Sequence, residues 1–291
     1  MKKIFFLAAM LSFLAIYSCQ DNAVPENNKE ENTETSTDEG TITYDGTETE
    51  PKIGDYYYSD GTWSDGGLRK LYADGTMEWA ETKPEPESGK TVIAIVFHAG
   101  HHANDASDYS ATGIGQQKCH GYAVALQDAT NDYCRWGFYG TELGCCPTDG
   151  GNKQDNYSTP DIDWSGYAWT QKIITAAGGK EKLNATEESG YPATYYAVVD
   201  YENNKAQAPA NSSGWFLLSI GQMWNVYQNR TSLFDGKTGV SVLRSVLYWS
   251  SSEYYNDPGR NALYVSVDGG RVSSVSKTYS QNNYVRPVLA F

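Results

Sequence analysis

The chain has 291 residues, 40% of them hydrophobic, and a formal net charge of −14. That charge excludes a nucleic-acid binder, which needs excess lysine and arginine to meet phosphates. It also argues against direct attraction to anionic lipid headgroups.

Lys2 and Lys3 open the chain, and residues 4–16 form an apolar stretch broken only by Ser12. The stretch is too short for a stable membrane-spanning helix but suits a signal-peptide core. Ile16-Tyr17-Ser18-Cys19 then puts a small residue directly before a cysteine, the pattern of a lipoprotein cleavage site. The expectation is a signal peptide over 1–18 and lipidation of Cys19. An ordinary secretory peptide, with Cys19 as bystander, is the alternative.

Residues 19–50 read as a disordered acidic tether. From residue 20 to 50 there are ten acidic side chains against Lys29 alone, which gives −9 of the formal −14. Such a segment buries too little apolar surface to offset chain entropy. Lys2 and Lys3 contribute +2, so residues 51–291 carry −7.

Residues 51–291 suffice for one large domain or two small ones. The chain's 23 Tyr, 28 Gly and 8 Trp, with repeated Asp-Gly pairs such as Asp60-Gly61 and Asp268-Gly269, predict short strands joined by many turns. Apolar runs at 91–97, 122–126 and 195–199 read as buried strands. Trp169, Ile173 and Ala177 recur four apart and predict a helix over 167–178, stopped by Gly178-Gly179. Ser219 and Gln222 form a capping box for a second helix. Leu263, Val265 and Val267 alternate with polar residues, Gly269-Gly270 turns the chain, and residues 271–277 return as a hairpin. The loss of phase at Ser273-Ser274 predicts a bulge. Residues 284–291 end the chain as an apolar strand.

Cys119, Cys134, Cys145 and Cys146 lie close together in an exported chain, so disulfides are expected over zinc. Neighbours Cys145 and Cys146 should each meet Cys119 or Cys134. His98, His101 and His102 lack a metal-ligand spacing and read as loop residues, so neither metal nor cofactor is expected. No nucleophile elbow, zinc helix, phosphate loop or dinucleotide fingerprint is present. Asp161 and Asp163 beside Trp164 are a weak lead toward sugar hydrolysis.

Three ordered segments carry a family resemblance. Gly214-Trp215-Phe216-Leu217-Leu218-Ser219-Ile220-Gly221-Gln222-Met223 resembles a "GW-LPS-GQL" helix start, with Leu218 where proline is usual. Tyr248-Trp249-Ser250-Ser251-Ser252-Glu253 resembles a "YWSS-E" signature, and Tyr284-Val285-Arg286-Pro287-Val288-Leu289-Ala290-Phe291 a "VRPV-AF" end. Residues 54–63 resemble the opening strand pair of Bacteroides relatives. The pattern is that of the Fibrobacter succinogenes major paralogous domain, a branch of the C-type-lectin-like superfamily. That superfamily also holds sulfatase-modifying domains and retroelement variable proteins. The resemblance spans 51–291; the Cys- and His-containing stretch 98–165 departs from it.

The resemblance implies an α+β, C-type-lectin-like fold: two helices on a twisted, mostly antiparallel sheet, with many loops and paired N- and C-terminal strands. It implies scaffold roles for Trp249, Ser250, Ser251 and Arg286. No cysteine follows Cys146, which does not support formylglycine-generating chemistry, and the calcium-lectin tripeptides are missing. A binding module is the expectation, not an enzyme. Its ligand-binding face is placed at Tyr254, Tyr255, Asn256, Asn261, Tyr264, Ser266, Asp268, Arg271, Ser273 and Ser274, where Tyr gives rigid area and Ser and Asn adaptable hydrogen bonds. The same residues also fit a plain polar sheet face. The partner would be a protein or glycan, with membrane contact through the lipid alone and no nucleic acid. The alternative is a glycan-active enzyme or a degenerate sulfatase-modifying relative. The expected location is the outer membrane, facing the cell surface or else the periplasm. Cys19→Ala should release soluble or unprocessed protein in membrane fractionation; unchanged membrane association would remove the lipid anchor.

Overall fold

The computed structural model describes residues 40–291 apart from residue 131. The expected signal peptide, Cys19 and residues 20–39 of the expected tether lie outside the described residues. In chain order the elements are β1 (Ile42–Thr43), β2 (Tyr56–Tyr58), β3 (Trp63–Ser64), β4 (Leu68–Leu71), β5 (Met77–Trp79), β6 (Val92–Ala99), β7 (Gly121–Ala125), β8 (Thr148–Asp149), β9 (Asn152–Lys153) and α1 (Gly166–Ala177). Then come α2 (Pro192–Tyr195), a π turn (Tyr196–Asp200), α3 (Tyr201–Asn204), β10 (Phe216–Leu217), α4 (Ile220–Gln228) and α5 (Arg230–Phe234). The chain finishes with β11 (Leu247–Glu253), β12 (Asn261–Ser266), β13 (Arg271–Ser276), β14 (Asn283–Tyr284) and β15 (Pro287–Ala290). The fold is α+β. Among the described residues no helix is long and apolar enough to cross a membrane.

A six-stranded antiparallel sheet, ordered β10-β15-β7-β6-β2-β3, forms the centre. It is covered on both faces, which explains the unbroken apolar run in β6. Ala94 and Val96 face a cluster with Trp169, Ile173, Ala197 and Trp249. Ile95 and Phe97 face another with Ile220, Met223, Leu233 and Leu263. Among the described residues the expected pairing of N- and C-terminal strands is not found: β15 lies between β7 and β10, β1 pairs with β4, and β2 pairs with β3 and β6. The last residue, Phe291, is buried with its ring 4.5 Å from Tyr57.

A second, four-stranded sheet runs β13-β12-β11-β14, with only β11–β14 parallel. The β12–β13 register is continuous from Asn261–Ser276 to Ser266–Arg271, so the expected bulge at Ser273-Ser274 is absent. The irregularity falls instead between Trp249 and Glu253 of β11. The capping box of α4 is present: Ser219 N–H donates to Gln222 Oε1 at 2.9 Å, and Gln222 N–H to Ser219 Oγ at 3.4 Å. Helix α1 stops at Gly178, whose φ of 91° suits glycine.

Three further expectations need correction. Residues 195–199 are helical, not a strand. Pro192 starts the helix, and Ala193, Ala197 and Tyr201 bury one face four residues apart, a period that outweighs the β-branched Val198-Val199. Residues 40–50 are ordered, not tether: β1 pairs with β4. Of their acidic side chains Glu48 is held by the buried Lys52, whose Nζ lies 3.2 Å from it and also 3.7 Å from Asp55 and 3.6 Å from Asp65 of the domain. Third, Cys119, Cys134, Cys145 and Cys146 are buried free thiols, not disulfides. Cys119 packs in the core cluster on one face of the central sheet, while Cys134 and Cys145 pack in the cluster on the other. Each sulfur has its own partner: His101 Nδ1 for Cys119 at 3.6 Å, Asn283 O for Cys134 at 3.8 Å, Trp169 O for Cys145 at 3.7 Å and Pro147 O for Cys146 at 3.6 Å. Burial pushes the Cys119 and Cys146 thiols up to about 12, away from the reactive thiolate.

Two polar knots hold the long loops. In the first, the Asp105 carboxylate accepts from Tyr122 Oη at 2.7 Å, Tyr109 Oη at 2.8 Å and Ser107 N–H at 2.8 Å. Beside it His102 stacks on Trp164 at 3.8 Å, and His98 lies 4.8 Å from the same ring. The second is an ion pair between Glu253 and Lys277, both fully buried, 2.5 Å apart. Glu253 also accepts from Leu143 N–H and Cys145 N–H at 2.9 Å each. Lys277 Nζ donates to Thr141 O at 2.9 Å and lies 4.6 Å over the Trp136 ring.

Burial, and secondarily the charges of His102 and His101, lower His98 from 6.5 to about 4. The unfolded chain therefore takes up this proton first on acidification. His98 contributes stability at neutral pH that is lost as pH falls from 6.5 through about 4. His98→Phe should fall less in Tm than the wild type over that window, and identical slopes would refute the assignment. Lys277→Met keeps an apolar stem beside Trp136 but leaves Glu253 without its counter-charge. It should cost about 3–5 kcal/mol in urea unfolding, with part recovered in the Lys277→Met/Glu253→Gln double variant. A loss below ~1 kcal/mol would show that the backbone donors suffice for Glu253.

Candidate ligand-binding surface

Strand β11 supplies the frame. Trp249 is buried and its Nε1 donates to Cys134 O at 2.9 Å. Ser250 Oγ donates to Leu263 O at 2.8 Å, and Ser251 Oγ to Leu218 O at 3.1 Å. Trp136 Nε1 returns to Ser250 O at 2.7 Å. Arg286 is fully buried, its Nε 3.1 Å from Asp128 Oδ1 and its Nη2 2.7 Å from Ser241 O.

The ten residues of the expected binding face do not form one surface. By register, Tyr264 opposes Ser273 and Ser266 opposes Arg271, so these four share a face. Asn261 and Ser274 lie on the other face, with Leu263, toward α4. Ser266 is buried. Asp268 is spent on its turn, accepting from Ser266 Oγ at 2.7 Å and Gly269 N–H at 2.9 Å. Tyr254, Tyr255 and Asn256 occupy the β11–β12 loop, at the opposite end of the strands from Asp268. The six residues of β12 put those ends roughly 20 Å apart.

The Tyr254 end gains partners from elsewhere in the chain. Tyr157 lies 5.6 Å from the Tyr254 ring, and Tyr255 lies 5.2 Å from it. Asn156 ties these loops, donating to Glu253 O at 3.0 Å and accepting from Tyr255 N–H at 3.3 Å. Gly140 N–H donates to Gly259 O at 2.8 Å, which brings the loop carrying Phe138 and Tyr139 to the same end. Phe138, Tyr139 and Tyr157 are 42%, 45% and 37% exposed, values that place aromatic rings in water. None of the three was among the expected site residues. The available signal was Gly137-Phe138-Tyr139-Gly140, an aromatic pair between glycines.

The lead at Asp161, Asp163 and Trp164 does not give an accessible carboxylate pair. Asp161 is exposed, but Asp163 and Trp164 are buried. Asp163 accepts from Trp169 Nε1 at 2.7 Å and Asn156 Nδ2 at 3.1 Å, and burial raises it to about 6. A cleft of about 480 Å³ lies nearby, lined in part by Asn104, Gln154, Ser165 and Lys172. Its cation is engaged, since Lys172 Nζ donates to Gly144 O at 2.5 Å and lies 4.4 Å from the Trp169 ring. Among the described residues no three His, Cys, Asp or Glu side chains gather as a metal site.

No known family pattern matches the chain, and no curated protein does. A crystal structure of a fimbrial protein from Bacteroides ovatus ATCC 8483 is similar in fold, with a TM-score of 0.54 and 17% identity. The match covers 83% of this chain and 49% of that one, so this chain spans about half of that protein's length. At such identity the likeness concerns the fold, and the fold it supports is a mixed α+β domain with few helices.

Proposed function

We propose that this protein is a surface-displayed binding or adhesion module, tethered by lipid on Cys19 in the outer membrane, that holds a protein or glycan ligand. The observation that carries the reading is the convergence of the loops bearing Phe138, Tyr139, Tyr157, Tyr254 and Tyr255 at one end of the four-stranded sheet. Phe138, Tyr139 and Tyr157 are exposed and Tyr254 and Tyr255 half-buried, and rings on clamped loops offer contact area at little cost in conformational entropy. The buried carboxylates Asp105, Asp163 and Glu253 are consumed by scaffold bonds, which favours binding over catalysis. The likeness in fold to a fimbrial protein fits a surface role.

The test is a pull-down and a glycan array with the purified full chain. A Tyr254→Ala/Tyr255→Ala variant should weaken the captured interaction about tenfold, while Arg271→Ala, at the far end of the hairpin, leaves it unchanged. The reverse pattern would move the site to the Tyr264–Arg271 face, and turnover of a captured glycan would overturn the pure binding reading.

A further inference from the structure

We infer that the ligand of this aromatic end is an uncharged oligosaccharide chain, a conclusion that rests on the binding reading above. Among the described residues the exposed large apolar side chains are Tyr133, Phe138, Tyr139, Tyr157, Ile42 and Val242. The two aliphatic ones come from β1 and from the segment before β11, so the aromatic end has rings without exposed aliphatic neighbours. A protein interface builds a contiguous apolar core that excludes water. Here the rings stand instead among polar groups: Asn256, Asp155, Ser158 and Asp257.

That alternation matches a sugar. A pyranose presents a flat C–H face, which an aromatic ring can take out of water, and a rim of hydroxyls that need acceptors. Asp155 Oδ1 accepts from Tyr157 N–H at 3.1 Å and Ser158 N–H at 2.9 Å. Asp257 Oδ2 accepts from Asn261 Nδ2 at 3.4 Å. A carboxylate has about four lone-pair positions, so each of these retains capacity for sugar hydroxyls beside the rings.

The same carboxylates decide the charge of the ligand. Asp155, Asp257 and Glu142 stand against Lys153 and Arg260, and Lys153 is held by Glu142 at 2.9 Å. Uronic or sulfated sugars would meet net repulsion there. The rings of Tyr157, Tyr254 and Tyr255 meet edge to face, 5.6 and 5.2 Å apart with planes inclined at 62° and 82°, and so brace one another as one cluster. Phe138 and Tyr139, on the loop joined by the Gly140–Gly259 bond, extend the aromatic contact beyond that cluster, so more than one unit of a chain is met. The Gly140–Gly259 bond and the turn closed by Asp257 N–H to Tyr254 O at 3.1 Å fix the loops in advance. Ordering costs on binding are thereby reduced.

The test titrates the purified full chain by calorimetry with cellohexaose, maltohexaose, mannohexaose and xylohexaose, with oligogalacturonate and heparin fragments as anionic probes. Immobilised fibronectin and fibrinogen serve as protein probes. At least one neutral hexasaccharide should bind, with affinity about tenfold lower in Tyr254→Ala and in Tyr157→Ala and kept in Tyr254→Phe, which retains the ring. Tyr157 is exposed, so Tyr157→Ala should keep its Tm, whereas Tyr254 is half-buried against the core and its Ala variant is read only at a temperature where thermal unfolding shows it folded. Binding confined to anionic fragments overturns the inference, as does neutral binding that ignores the ring substitutions. If only a protein probe binds and the same substitutions weaken it, the oligosaccharide assignment fails and the binding module stands. If no probe binds, both fail.

Discussion

The buried pair of Glu253 and Lys277 is the constraint on which the candidate surface depends. Taking two charges out of water costs several kcal/mol for each, and their attraction alone does not guarantee a return. Here the remaining hydrogen-bonding capacity is also met. Glu253 takes two backbone N–H groups from the loop at Leu143 and Cys145, and Lys277 gives a bond to Thr141 O while sitting over Trp136. Every one of those partners belongs to the segment 136–145. The pair is therefore a clamp that specifies where that segment lies across the four-stranded sheet. A pair of apolar residues could fill the same space, but would leave the loop's N–H groups without acceptors.

A second buried cation does the same for the last strand. Arg286 reaches Asp128, Ala125 O and Ser241 O, and Asp128 is shared with Tyr248 and Arg244. Burial lifts the Asp128 carboxyl above its ordinary range, against the pull of Arg286. Because a guanidinium stays charged, the carboxylate is the group that would give way on acidification. The two buried cations divide the work: Arg286 joins the end of the chain to the central sheet, and Lys277, through Glu253, joins the long middle loop to the smaller sheet.

Local pattern predicted local structure well. The apolar run of β6, the four-residue spacing in α1, the capping box of α4 and the β12–β13 hairpin all depend on neighbours within one element, and all are present. The misses involve distant partners. Residues 195–199 gain their helical face from a core assembled across the chain. The cysteines share one stretch of sequence, yet Cys119 packs in one core cluster and Cys134 and Cys145 in the other, so proximity in sequence said nothing about pairing. Residues 40–50 were read as like charges repelling one another, without Lys52 to tie Glu48 to Asp55 and Asp65 of the domain, or the pairing of β1 with β4. The site divides in the same way. Tyr254 and Tyr255 were visible in the C-terminal segment, whereas Tyr157, Phe138 and Tyr139 join them through contacts spanning about a hundred residues, such as Gly140 to Gly259.

This division has a consequence for how such a surface can vary. Phe138, Tyr139 and Tyr157 are exposed and contribute little to the core, while the bonds that hold their loops run through buried side chains and backbone groups at Asn156, Glu253 and Lys277. Substituting a ring changes what the surface can grip without releasing the loop that presents it. Substituting a clamp residue does the opposite: it lowers stability, and affinity falls only because the rings are no longer held in register. Loss of binding accompanied by loss of Tm therefore identifies scaffold, and loss of binding at unchanged Tm identifies contact. A surface organised in this way can change its ligand through side chains alone, because the order of its loops is fixed by groups that never meet the ligand.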